Sequence, residues 1–213
     1  MNESIFSIAH YADQGVLLLL VALAIVAMWL IVGKAIQFYK ARKSLRLLDQ
    51  FSTQLIDNKW DGQLPEGIRV ERIGFLFDGV IGHLSVNGDQ GLDEVFSVLK
   101  TRFLAPFESS LAFLATVGSN APYIGLFGTV LGIMKAFHDM AQATEGAQNT
   151  VMVGISSALI ATAAGLLVAI PSVLAFNYFM KRLKKMSVAL DQTKDLVRVA
   201  FVSHGGPHGS QSK

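Results

Sequence analysis

The stretch SSLAFLATVGSNAPYIGLFGTVLGIM, residues 109–134, carries no charged side chain between Glu108 and Lys135. A helix needs roughly 20 predominantly apolar residues to cross the hydrocarbon core of a bilayer, and this stretch is long enough. Its small residues are ordered. Gly125, Thr129 and Gly132 fall at i, i+4 and i+7, on one helical face. Gly118 and Pro122 extend the stripe, and Gly128 stands beside it. Lipid tails give no hydrophobic drive for helix association, so small residues at this spacing serve to let two membrane helices approach closely. The stretch predicts a spanning helix built to pack against another helix.

Two further runs complete the pattern. VLLLLVALAIVAMWLIV, residues 16–32, lies between Asp13 and Lys34 and is nearly all large and aliphatic, which suits lipid contact. Residues 1–15 contain no Lys or Arg, so the positive n-region of a signal peptide is missing, and an uncleaved first helix is expected. The third run, residues 151–180, lies between Glu145 and Lys181. In it Ala158, Thr162, Gly165 and Ala169 form a face matching that of the second run, with Ser156 and Ser157 at its outer end and Pro171 near its far end. Lys34, Lys40, Arg42, Lys43 and Arg46 follow the first run, Lys100 and Arg102 precede the second, and Lys181, Arg182, Lys184 and Lys185 follow the third. The positive-inside rule then places the N-terminus and the 138–150 connector outside, and the 40–107 segment and the C-terminus inside.

The expected fold is all-α: a polytopic membrane protein with three transmembrane helices, the second and third extending into the cytoplasm, and a helical cytoplasmic segment. The expected boundaries are 1–39 for the periplasmic N-terminus and first span, 40–107 for the cytoplasmic segment, and 108–137 for the second span. They continue with 138–150 for a periplasmic loop, 151–180 for the third span, and 181–213 for a cytoplasmic helix and disordered tail. Inside the 40–107 segment, Leu45, Leu48, Phe51 and Leu55 recur at helical spacing, as do Val95, Phe96, Leu99 and Phe103. Gly62, Pro65, Gly67 and Asn87-Gly88 read as breaks or turns. The helix from Leu92 is expected to run on into the second span, with Pro106 as a kink. Beyond the third span, Leu183, Met186, Leu190, Thr193 and Val197 continue the helical period.

Composition narrows the function classes. Charged residues make up 16% of the chain, against about 25% in soluble domains, and the mean hydropathy is +0.45. There is no cysteine, hence no thiolate nucleophile and no Cys-based metal site. Asp78, His83, Asp89, Asp93 and Glu94 lack any recognisable ligand spacing and read as surface groups, so neither metal nor cofactor is expected. The basic residues cluster at the ends of apolar runs rather than along one soluble face, which argues against nucleic-acid binding. No histidine lies within a span, so a serine there has no base and an intramembrane hydrolase is disfavoured. Thr129 and Thr162 are left with two readings. Each hydroxyl either bonds its own i−4 carbonyl or lines a polar pathway. Apart from terminal residues, neither span contains Asp, Glu, Lys, Arg or His. Proton carriers in membranes ordinarily use an ionisable side chain, so a conducting role requires a titrating group from a partner.

APYIGLFGTVLGIMKAF (121–137) and ALIATAAGLLVAIPSVLAFN (158–177) resemble the signatures of the ExbB, TolQ and MotA proton-channel family, closest to the ExbB and TolQ type. The resemblance implies an inner-membrane, homopentameric subunit that uses the proton motive force to energise envelope processes. It implies ExbD- or TolR-like single-span partners whose membrane aspartate carries the proton, and a TonB- or TolA-like transducer. Thr129 and Thr162 match the family's pore threonines. Gly125, Gly128, Gly132, Gly165, Pro122 and Pro171 are the expected helix-packing positions, and Ser157 and Asn120 the expected outer pore mouth. Family members often carry Gly-Ile-Ala-Glu-Ala before the third-helix threonine. Here the stretch is Gly154-Ile155-Ser156-Ser157-Ala158, so Ser157 stands where the glutamate would be, and the subfamily stays open. The alternatives are a structural helix-bundle anchor and a flagellar- or gliding-type stator, and the ion is H⁺ or Na⁺.

Overall fold

A computed structural model describes residues 2–57, 59–60, 63–142 and 147–203. The expected disordered tail, 204–213, lies outside them. All regular structure among the described residues is helical: α1 (Asn2–Ile56), α2 (Glu66–Arg69), α3 (Arg72–Asn87), α4 (Leu92–Glu108), α5 (Leu111–Gln142) and α6 (Ala147–Ser203). Three of these, α1, α5 and α6, contain segments long and apolar enough to cross a membrane. The chain is therefore a multi-pass membrane protein. It divides into two compact units, Met1–Gly33 with Ser110–Tyr178, and Lys34–Ser109 with Phe179–Lys213.

The first unit holds the apolar stretches of the three long helices. Its surface is what a bilayer, not water, would accept. Leu18, Ile25 and Trp29 of α1 are 70%, 65% and 74% exposed, whereas Val16, Leu20 and Ala27 of the same helix are buried. Large aliphatic side chains thus occupy the outward face, and burial within the unit falls to a narrow stripe.

The second unit has the opposite distribution, a packed apolar core under a charged surface. Leu48 and Phe51 of α1, Ile68 of α2, Phe77 and Val80 of α3, Phe96 of α4 and Leu190 of α6 are all buried. Each fully buried side chain of this size contributes on the order of 1.5–3 kcal/mol. Phe51 makes edge-on contacts with Trp60 and Phe77, with ring centroids 6.4 and 6.3 Å apart. The periodic residues Leu183, Met186, Leu190, Thr193 and Val197 all point inward, so the helical period read beyond the third span marks a real buried face.

The structure corrects the sequence reading at three points of organisation. The helix from Leu92 does not continue through Pro106 into the second span. Pro106 sits within α4, and the chain breaks at Ser109–Ser110 instead. The 138–150 connector is helical at both ends, since α5 runs to Gln142 and α6 begins at Ala147. Gly67 is part of the short helix α2 rather than a turn, and Pro65 caps that helix. The Asn87-Gly88 turn stands as read: Gly88 ends α3 at φ 62°, a conformation that glycine adopts without steric cost.

Candidate functional site

Within the first unit α5 and α6 run antiparallel, and glycines set their register. A Cβ added at Gly125 would lie 2.7 Å from the Ala161 carbonyl oxygen and 3.0 Å from the Thr162 Cα. One added at Gly165 would lie 2.6 Å from the Ala121 carbonyl oxygen. The two backbones therefore touch where Gly125 faces Gly165, and no larger residue fits either place. Gly118 opposes Val173 lower in the register, and Gly154 opposes Ala136 at the other end. Gly128 meets both Ala161 and Val16, so α1 joins the contact there. Gly132 is buried as well, while Pro122 and Pro171 are half-buried inside their helices.

Close approach at Gly125 brings the two threonines together. The Thr129 and Thr162 hydroxyls form a hydrogen bond with each other across the helix pair. Thr129 Oγ1 also lies 3.2 Å from its own i−4 carbonyl, that of Gly125, and 3.3 Å from the Ala158 carbonyl oxygen of α6. Thr162 Oγ1 reaches across to the same Gly125 carbonyl at 3.3 Å. Each hydroxyl has one proton and two acceptor lone pairs. Two arrangements satisfy the set. Thr129 donates to Thr162, which donates to Gly125, or Thr162 donates to Thr129, which donates to Gly125 or Ala158. Both residues are only half-buried, so the pair retains lone pairs for a further hydrogen-bond partner.

Sequence periodicity had left back-bonding and a polar pathway as separate readings of these threonines. The geometry shows the back-bonding contact, with Thr129 Oγ1 3.2 Å from the Gly125 carbonyl oxygen, and adds a hydrogen bond to Thr162 across the helix pair. Two contributors to the interface went unread. Ala161 is fully buried against Gly125 and Gly128, and its signal was available, three residues after Ala158 on the same face. The Gly154–Ala136 contact was the other. The reading of Ser157 and Asn120 as one outer mouth is corrected. The antiparallel register places Asn120 near the level of Ala169, far along α6 from Ser157. At 1.5 Å per residue the two levels are roughly 20 Å apart. Both side chains are exposed, and the Asn120 amide donates to the Thr116 carbonyl oxygen at 2.8 Å.

Three spanning helices that meet through glycine contacts and a threonine pair, with no Asp, Glu, Lys, Arg or His between the ends of the second and third spans, define a class of close-packed helical membrane protein. The chain belongs to the MotA/TolQ/ExbB proton channel family, which matches residues 77–192. It is 37% identical over 191 residues to the Tol-Pal system protein TolQ of Pseudomonas aeruginosa, covering 84% of this chain and 83% of that one. The Tol-Pal system protein TolQ of Haemophilus influenzae is 33% identical over 192 residues, 81% of each chain. The biopolymer transport protein ExbB of Helicobacter pylori is 51% identical over 73 residues, 34% of this chain and 50% of that one.

Proposed function

We propose that this chain is the ring-forming, ion-conducting stator subunit of an inner-membrane motor that converts the proton motive force into work on the envelope, as in Tol- or TonB-type energy transduction. The observation that carries the proposal is the Thr129–Thr162 pair, two half-buried hydroxyls held beside the Gly125–Gly165 backbone contact of a helix interface that has no titrating group of its own. Hydroxyls do not ionise near neutral pH, so they serve a carboxylate brought by a partner. An ExbD- or TolR-like single-span protein supplies it, and a TonB- or TolA-like protein takes up the motion. Beside the threonines such an aspartate is partly desolvated, which raises its pKa towards the working range. The hydroxyl pair offers the ionised form a hydrogen bond and the protonated form an acceptor. On this reading the N-terminus and the α5–α6 connection are periplasmic, the second unit is cytoplasmic, and the copies form a pentamer.

Proton uptake into liposomes tests this. The complex with its partner should conduct, whereas the partner's aspartate-to-asparagine variant and this chain alone should not. Conduction that persists in either sample places the ion path elsewhere. A complex that assembles fully but never conducts supports the structural-anchor alternative.

A further inference from the structure

The second unit holds a small pocket of about 190 Å³ between α1, α3 and α4. Phe103 and Phe107 of α4, both buried, make its apolar wall. Gln37, Lys40 and Ser44 of α1 and Arg72, the first residue of α3, supply its polar groups. The volume is below the roughly 300–1,000 Å³ of pockets that enclose a drug-sized ligand. Such a pocket takes a small polar group and leaves any larger attachment outside.

The charge around the pocket is one-sided. Lys40 and Arg72 are exposed, and among the described residues neither is paired with a carboxylate. Glu71 is the one acid of the lining, and it is engaged by the Lys43 ammonium at 3.1 Å and by the Ser44 hydroxyl at 3.3 Å. A third cation stands next to the pocket. Lys34 is buried, with 6% of its surface exposed. Its ammonium donates to the carbonyl oxygens of Pro106 at 2.8 Å and Phe107 at 3.1 Å, and lies 3.3 Å from both Gln37 Oε1 and Ser109 Oγ. Neutral dipoles surround its charge, and no carboxylate among the described residues pairs with it. A buried lysine in contact with two lining residues thus adds positive charge to a pocket whose acid is already engaged. The site calls for an anion.

The surrounding surface indicates the source of that anion. Ile36 and Tyr39 of α1 are 53% and 72% exposed, and the Arg42 guanidinium lies over the Tyr39 ring at 5.9 Å. Exposed Lys40, Arg42 and Lys43 follow on the same helix. Exposed apolar and tyrosine side chains that give way to cations along one helix mark a membrane–water interface. Phe75, 68% exposed, lies three residues after Arg72 on α3 and adds apolar surface on the same side. Long cationic side chains at this level lay their stems on apolar surface and put their charged heads among lipid phosphates.

We propose that this pocket binds the phosphate headgroup of an anionic phospholipid. The Arg72 guanidinium and the Lys40 ammonium pair with the phosphate oxygens, arginine in the two-pronged geometry that suits phosphate, and the acyl chains stay outside, along Ile36 and Tyr39. The headgroup thereby ties α1 to α3. The inference rests on the chain crossing a membrane and stands whether or not it conducts ions.

The full-length protein in mild detergent is equilibrated with equal amounts of phosphatidylglycerol and phosphatidylcholine of identical acyl chains, and the retained lipid is read by native mass spectrometry. Wild type should retain phosphatidylglycerol over phosphatidylcholine by roughly tenfold. Lys40→Gln combined with Arg72→Gln should bring the two lipids to equal retention. Lys184→Gln combined with Lys185→Gln removes the same charge from exposed positions outside the pocket and should keep the wild-type preference. Equal retention of the two lipids by wild type overturns the proposal. So does an equal loss in both double variants, which would make the preference a general effect of positive charge. Inorganic phosphate serves as competitor, and displacement of the lipid by millimolar phosphate would make this a site for soluble phosphate and overturn the lipid assignment. If the Lys40 and Arg72 double variant does not fold, Arg72→Gln alone, at an exposed position, must lower the preference, and an unchanged preference overturns the proposal.

Discussion

Thr129 and Thr162 share a hydrogen bond and a common acceptor: their hydroxyls bond to each other, and each also approaches the Gly125 carbonyl. Valine at either position keeps the branched shape and removes the hydroxyl, so the helix contact should survive with the hydrogen bond lost. Each single valine should cost little stability, because interhelical hydrogen bonds in membranes average about 0.6 kcal/mol. The double variant should cost less than the sum of the singles, since either single change already breaks the bridge. Gradient-dependent activity should fall on the order of tenfold in each single variant, equivalent to about 1.4 kcal/mol in the barrier. Unfolding in detergent and a gradient-dependent growth assay measure the two effects. Full activity in both single variants would remove the threonines from the ion path.

Gly125 should fail differently. Its missing side chain leaves the space filled by the Ala161 carbonyl and the backbone of Gly165, and neither can swing aside as a flexible side chain would. Gly125→Ala should destabilise the pair by about 1–3 kcal/mol, the range for overpacking. Gly125→Leu should prevent assembly outright. Size-exclusion profiles and thermal melts in detergent distinguish these outcomes from the threonine variants, whose profiles should match wild type.

How far the sequence carries this fold can be read from particular residues. The three spans were legible because uncharged runs of that length have few other uses, and the α5–α6 interface was legible because glycines at helical spacing have little other purpose in lipid. Lys34 was not legible. A lysine after an apolar run is usually solvated, and its partner carbonyl at Pro106 lies 72 residues away. The break at Ser109–Ser110 was missed although serine is favoured just before a helix, and the Ser109 hydroxyl donates to the Pro106 carbonyl at 2.9 Å where α4 ends. Asn120 was misplaced although the expected topology, with the second span running from 108 inside to 137 outside, already put it nearer the inner end; the register of glycine contacts gives the same level.

Acid should loosen the second unit through Asp93. The Lys194 ammonium, hydrogen-bonded to Asp93 and attracting its charge, holds that carboxyl below its ordinary value, and Arg198 adds to the effect. A carboxylate with a depressed folded pKa contributes stability above the unfolded value, near 3.9. That contribution is lost as pH falls through the folded value. Asp93→Asn should therefore be slightly less stable than wild type at pH 7, and the difference should close below about pH 4. The effect is small because the Asp93 side chain is 65% exposed and solvent screens the pair. Chemical denaturation at pH 7 and pH 3.5 checks it. A gap that stays constant across that range would mean the pair does not govern the acid limb.

The outward faces of α5 and α6 call for neighbours of the same kind. Tyr123 and Leu167 are 70% and 74% exposed, which lipid alone would tolerate, but Ser119 and Asn120 are exposed on the same side of α5 as Tyr123. An amide left facing hydrocarbon is unfavourable, and polar side chains within spans ordinarily face the interior of a bundle or a water-filled cavity. α1 covers α5 at Gly128 and α6 covers it at Gly125, and among the described residues the Asn120 side stays exposed. Repeating one chain about an axis along the membrane normal keeps every copy at the same depth and closes into a ring, which would enclose this face. Native mass spectrometry from mild detergent should therefore show a closed ring, a pentamer on the reading proposed above. Single cysteines at Asn120 paired with cysteines at Leu167 or Ile170, which lie near the same level, should cross-link between copies in membranes. A monodisperse monomer in several detergents, with no intermolecular cross-link at these positions in the native membrane, would show that this face is covered by something other than a second copy.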